Sequence, residues 1–224
     1  MCARPCVLVL TGFLLMTGCS SKPASTTPAS TTSSDQNATS PAPTATAKKE
    51  REWQTVQDPK GRYSVDVPGK PGGVHDSGMF VSVSGNSTVA VNVNEAKFMS
   101  LADEAAWKAF QANPGDGEAI EKLLRAHLDR VIHSLKNPRF PQDPPEPYSI
   151  VSAQRTQIGA FPGLDVVMKL DGGNRVHTRR MALTPENYFE LLVNAPEPEL
   201  EPETIQRIVS SFKIGPMGPP ATAP

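Results

Sequence analysis

The stretch EAIEKLLRAHLDRVIHSLK, residues 118–136, decides the fold. Ile120, Leu123, Leu124, Leu128, Val131, Ile132 and Leu135 recur at three- and four-residue spacing, which gathers them on one broad helical face. Glu121 and Arg125 stand four apart and pair on the flank. Asn137-Pro138 ends the helix, because proline cannot donate to the preceding turn. A helix with one apolar face needs a surface to cover, and the sequence on either side supplies strands.

Working upstream, Leu101 to Gln111 predicts a shorter helix, with Ser100 as N-cap, Asp103 at its third position and Trp107 and Phe110 turned to the core. Asn113-Pro114-Gly115 separates the two helices. Before them the period changes from 3.6 to 2. Met79 to Val83 and Thr88 to Val93 predict a hairpin about Gly85-Asn86. In Arg62 to Val67, Tyr63, Val65 and Val67 share a face, and Trp53 to Val56 predicts a first strand. Downstream, Pro138 to Pro147 is an irregular crossing. A meander follows over Tyr148 to Ile158, a strand carrying Leu164, Val166, Met168 and Leu170, Arg175 to Leu183, and Asn187 to Val193. Pro202 to Ser211 predicts a closing helix, with proline in its first turn and Ile205, Ile208, Val209 and Phe212 in one stripe. Strands, a helical pair, strands and a last helix predict an α+β fold, a mostly antiparallel sheet flanked by helices.

Not all of the 224 residues belong to that domain. Arg4 is a thin basic start, and Val7 to Met16 is an apolar run too short to span a bilayer. Met16-Thr17-Gly18-Cys19 resembles the lipobox of bacterial lipoproteins. The resemblance implies cleavage after residue 18, a diacylglycerol on Cys19 and acylation, such as palmitate, of the new amino group. Membrane anchoring would follow, since two or more chains hold stably where one holds marginally. Ser20 resembles the sorting pattern of outer-membrane lipoproteins, so the expected location is the cell envelope, on the periplasmic side of a membrane surface. Residues 20–47 are almost wholly Ser, Thr, Pro and Ala, too polar to offset the entropy of ordering, and predict a disordered spacer. A coil of that length reaches roughly 30 Å. The expected organisation is a signal peptide over 1–18, a lipidated cysteine and linker over 19–51, one α+β domain over 52–214, and a Gly/Pro-rich flexible tail over 215–224.

The three cysteines, Cys2, Cys6 and Cys19, precede the domain, which excludes disulfides, thiol nucleophiles and thiolate metal sites within it. A formal net charge of −1 carries no footprint for nucleic acid. No G-x-S-x-G, H-E-x-x-H, phosphate-loop or dinucleotide fingerprint occurs, so no catalytic, cofactor or metal residue is assigned and no cofactor is expected.

The strand ending in Val67-Pro68-Gly69-Lys70-Pro71, the hairpin and helices after it, the turn Ile158-Gly159-Ala160-Phe161-Pro162-Gly163-Leu164-Asp165, the Tyr188 strand and the helix running into Ser211-Phe212-Lys213 resemble the PsbP/Mog1-like α/β/α sandwich of uncharacterised bacterial envelope proteins. The resemblance covers residues 52–214. It implies a non-catalytic domain that binds a protein partner, and it transfers no site residue.

Among individual residues, Arg175, His177 and Arg179 alternate onto one strand face, with Arg180 on the other. They form a candidate patch for an acidic partner, an anionic ligand or a lipid headgroup. The alternative is a solvated sheet edge protected by charge. His127, inside the apolar stripe of the long helix, reads as a hydrogen-bonded histidine at the core edge. Asp129 and His133 read as a surface pair, and His75 lies in a Gly-rich loop without a motif partner. The function expected is binding of a protein or envelope component. The alternatives are a small-ligand carrier needing an apolar cavity, or an enzyme whose site, such as His177 with a carboxylate, is dispersed in sequence.

Overall fold

Thirteen short segments build two antiparallel sheets and their helical cover. The order is β1 (Trp53–Gln57), β2 (Tyr63–Pro68), β3 (Phe80–Ser84), β4 (Ser87–Glu95), a 3-10 helix (Ala96–Leu101), α1 (Glu104–Ala112), α2 (Gly117–Lys136), β5 (Tyr148–Ile158), β6 (Phe161–Leu170), β7 (Arg175–Leu183), β8 (Asn187–Pro196), α3 (Pro202–Ser211) and β9 (Lys213–Ile214). The computed structural model describes residues 52–140, 142–197 and 199–215, all within one compact unit. Cys19, the signal segment, the linker and the tail beyond Gly215 lie outside the described residues. Among the described residues, no helix is long and apolar enough to cross a membrane.

The α+β class holds, with one change to the expected single sheet. A six-stranded sheet runs β3-β4-β8-β7-β6-β5, and a separate three-stranded sheet runs β1-β2-β9. Directly opposed residues share a face, so the register lays out transverse rows. One row is Val83, Thr88, Asn194, His177, Met168 and Ile150; the next is Val81, Ala90, Leu192, Arg179 and Val166. These rows face the 3-10 helix, α1 and α2, where Leu123, Leu124, Leu164, Val166 and Met168 bury completely. The opposite face packs on the small sheet and α3, through Phe189, Leu191, Val193, Tyr63, Val65, Val67 and Ile208. β2 turns Tyr63, Val65 and Val67 to this second core, and β9 pairs with it through Tyr63–Ile214 and Ser64–Lys213.

Local chemistry sets the boundaries. The β3–β4 hairpin turns at Gly85, where φ of 60° suits glycine. Asp116 caps α2 by accepting from the Glu118 and Ala119 amides. At α1 the expected cap shifts. Asp103, not Ser100, is the N-cap, its Oδ1 accepting from the Ala106 amide at 2.9 Å, because residues 96–101 form the 3-10 helix first. β8 extends to Pro196, three residues past expectation, since β4 and β7 pair with it on both sides. Arg207 of α3 lies over the Trp53 ring at 3.9 Å and fastens β1 to that helix.

Candidate functional site: a groove beside α3 and a buried polar cluster behind it

The sequence singles out Arg175, His177 and Arg179, and the structure keeps them on one face but removes two of them from solvent. β7 is an interior strand, so the solvated-edge alternative is corrected as well. His177 is 4% exposed and Arg179 7%, because this face turns toward α2; a partner touching the described surface meets only the half-buried Arg175.

The cluster they join is dense. Arg179 forms a buried ion pair with Glu190 of β8. His177 Nε2 meets the Tyr148 hydroxyl at 2.9 Å, and the two rings stack with centroids 4.2 Å apart. Asn194 lies directly opposite His177 across β7 and β8. His127 of α2 is buried as expected and packs edge-on against Tyr188 and Phe98, at 5.0 and 5.6 Å. Burial pushes the His177 imidazole down to about 3, with Arg179 and Arg175 adding in the same direction. Burial also lowers His127, although the Glu190 charge opposes it. Tyr148 is pushed up to about 12 by burial. Both imidazoles are therefore neutral at pH 7. Neutral buried histidines, a phenol with a raised pKa and a paired arginine set the packing of a core. The Asn194 side chain hydrogen-bonds His177 and opposes part of the lowering of that imidazole. Arg179 Nε and the Tyr188 hydroxyl are buried without a hydrogen bond to another protein group.

The open space lies on the other face of the same strands. The small sheet and α3 cover Ile158 and Phe161 where β5 turns into β6 but leave the middle of these strands and the near side of β7 open, and a groove of about 430 Å³ runs between them and α3. Its floor is Val167, Val176 and Thr178; its wall is Ile205, Gln206 and Val209 of α3; Ser152 and Gln154 form the outer side. Ion pairs mark its two ends. At one, Arg180 donates to both Asp165 oxygens at 2.8 and 2.7 Å and to the Val209 carbonyl at 2.7 Å, tying the strand to the helix. Toward the other, Lys169 and Glu197 stand 2.9 Å apart. From Asp165 to Lys169 the strand rises roughly 13 Å at about 3.3 Å per residue.

Sequence reasoning missed this groove. Val167, Thr178 and Gln206 have no common pattern, and what makes them neighbours is where α3 docks. Arg180, noted only as an added charge on the far face, is the residue that makes the junction. Among the described residues no three or more His, Cys, Asp or Glu side chains gather to hold a metal. Asp129 and His133 are exposed on α2, and His75 is exposed with its Nδ1 3.0 Å from Ser77 Oγ. Elsewhere, Arg62 closes the β1–β2 turn on the buried Asp58 and donates to the Ser77 carbonyl at 3.0 Å. Its charge and hydrogen bonds hold the Asp58 carboxyl below its usual range against the cost of burial.

Compared with known proteins, the chain matches no family model and no curated protein. Among solved structures it is similar to the solution structure of cyanobacterial PsbP from Synechocystis sp. PCC 6803, with a TM-score of 0.42 and 10% identity, over 79% of this chain and 100% of that chain.

Proposed function

We propose that this chain is a lipid-anchored cell-envelope protein, held to a membrane surface through Cys19, whose α+β domain binds a protein or envelope component through the groove beside α3. The observation that carries the binding reading is the groove itself. It has an apolar floor, hydroxyl and amide side chains around it and ion-paired ends, and the strongly shifted imidazole lies on the opposite side of the sheet. The charged groups at the groove ends are taken up in ion pairs, Arg180 with Asp165 and Lys169 with Glu197, which favours recognition over chemistry, since catalysis needs a titratable group available to the bound molecule. The anchor reading is supported by Met16-Thr17-Gly18-Cys19 and the Ser/Thr/Pro spacer after it.

Photo-crosslinking tests the binding reading. A crosslinking residue at Gln206 in the full chain, expressed in its native host, gives a discrete adduct, and the same residue at Arg130 on the exposed side of α2 gives none. Equal labelling from both positions contradicts it. The anchor reading is checked by the intact mass of the mature protein, which begins at Cys19 with acyl mass; Cys19→Ala abolishes both. A second reading, a small-ligand carrier, is favoured by the groove volume, which falls within the 300–1,000 Å³ typical of small-molecule sites. It predicts a co-purifying small molecule released on denaturation in place of a protein adduct.

A further inference from the structure

We infer that Arg180 is the positioning residue of the groove: from β7 it caps the C-terminal end of α3, and so sets how far the wall of the groove stands from its floor. The inference rests on the reading of the groove as a binding site and adds which side chain fixes its shape. The sequence of α3 is the first argument. Ten residues are too few to hold a helix on their own. The N-cap residue, Glu201, does not cap the helix with its side chain, and no basic residue stands in the last turn. The last-turn carbonyls carry the negative end of the helix dipole and lack partners within the helix. Arg180 supplies from another element the cation that α3 lacks, donating to the Val209 carbonyl at 2.7 Å. The Phe212 amide closes on the same oxygen at 3.3 Å, where the helix ends.

Geometry is the second argument. Arg180 Nε and Nη2 are held by the two Asp165 oxygens, which leaves Nη1 aimed at Val209. A planar guanidinium gripped in such a fork cannot swing, so the carbonyl it meets stands at a fixed distance from β6 and β7. Asp165 and Arg180 both line the groove, and their side chains are 32% and 14% exposed, sheltered enough for the bonds to hold firmly. Two further polar ties of α3 run to the small sheet. Ser211 Oγ accepts from the Asp66 amide of β2 at 2.9 Å, and Arg207 lies over Trp53 of β1. Ile208 and Phe212 fill the core between the sheets. Arg180 instead joins the wall helix to the strands that carry the groove floor.

The test uses the full chain with genetically encoded spin labels at Gln154 and Gln206, which face each other across the groove. A second pair, at Lys60 and Ser210, reports the distance from α3 to the small sheet. Asp165→Asn with Arg180→Met removes the tie without leaving an unpaired charge. The expected result is that the distance between 154 and 206 lengthens by about 2 Å, the scale of a helix shift, while that between 60 and 210 holds. Amide exchange at Phe212 quickens about tenfold, and Phe189 and Leu191 stay protected. Arg180→Lys lengthens the first distance too, because one ammonium cannot fill both Asp165 oxygens and the Val209 carbonyl. The Gln206 crosslinking adduct falls at least about fivefold in the double variant, since the groove is no longer preorganised. An unchanged first distance, or an equal change in both, overturns the inference. A lengthened distance with an undiminished adduct also overturns it and leaves the groove a binding site. A lengthened distance with no adduct even from the parent overturns the binding reading and leaves Arg180 as the residue that holds the wall.

Discussion

The two faces of β7 invert what their own residues suggest. One face carries Arg175, His177 and Arg179, the other Val176, Thr178 and Arg180. Read as a strand alone, the first should meet water and the second the core. In the structure His177 and Arg179 are buried, whereas Val176 and Thr178 are half-buried along an open groove. The cause lies outside the strand. α2 has a long apolar face and covers its side of the sheet from β5 to β7, while α3 is ten residues long and covers less. The polar face is tolerated under α2 because its polar groups arrive with partners, the Glu190 charge for Arg179 and the Tyr148 hydroxyl for the neutral His177. Burial in a layered fold is thus set by the covering element, and polarity is then satisfied or left open accordingly.

Substitutions on the two faces should separate them sharply. Glu190→Ala leaves Arg179 buried and unpaired, and should cost about 3–5 kcal/mol in urea unfolding. Replacing both partners, Arg179→Met with Glu190→Leu, should recover most of that loss, since well-packed apolar pairs replace buried ion pairs at little cost. A loss under about 1 kcal/mol for Glu190→Ala would mean that water reaches this face. Tyr148→Phe strands His177 Nε2 and should cost about 1–3 kcal/mol.

Acid should expose the same asymmetry. The unfolded His177 imidazole titrates near 6.5 and the folded one at about 3, so between those values the unfolded chain holds a proton that the folded chain lacks. Stability is therefore full above about pH 6.5 and falls as the pH drops toward 3, by up to about 1.4 kcal/mol per pH unit for one such group. The lowered His127 adds in the same direction. His177→Gln should flatten the slope between pH 6 and 4.5; an unchanged slope would place the titration elsewhere. The groove face should respond least. Lys169 and Glu197 have side chains 46% and 55% exposed, so Lys169→Ala should cost no more than about 1 kcal/mol.

Much of the architecture was legible in periodicity. Tyr148–Ile158, Arg175–Leu183 and Pro202–Ser211 match expectation end to end, because alternation and the helical stripe change abruptly at Gly- and Pro-containing turns. The division into two sheets was not legible. β1 and β2 read as ordinary half-buried strands, and nothing local says which sheet they join. The 3-10 helix also escaped, since Ala96 to Leu101 has no period of its own. For the site, β7 showed which residues share a face and could not show which face is covered. That answer depends on α2 and α3, which are distant in sequence. The groove was invisible for the same reason, being made of Thr178, Val167 and Gln206 from three separate elements.

The central claim is that partners meet the α3 face of the sheet and not the basic α2 face, and one comparison tests it directly. Photo-crosslinking from Gln206 in the full chain is measured in two backgrounds, Val167→Trp, which fills the groove floor, and Arg175→Glu, which reverses the one member of the Arg175, His177 and Arg179 set that is not buried. The account predicts that Val167→Trp removes the adduct while Arg175→Glu leaves it, both proteins keeping the parent melting temperature. An adduct that survives Val167→Trp and disappears with Arg175→Glu would contradict it.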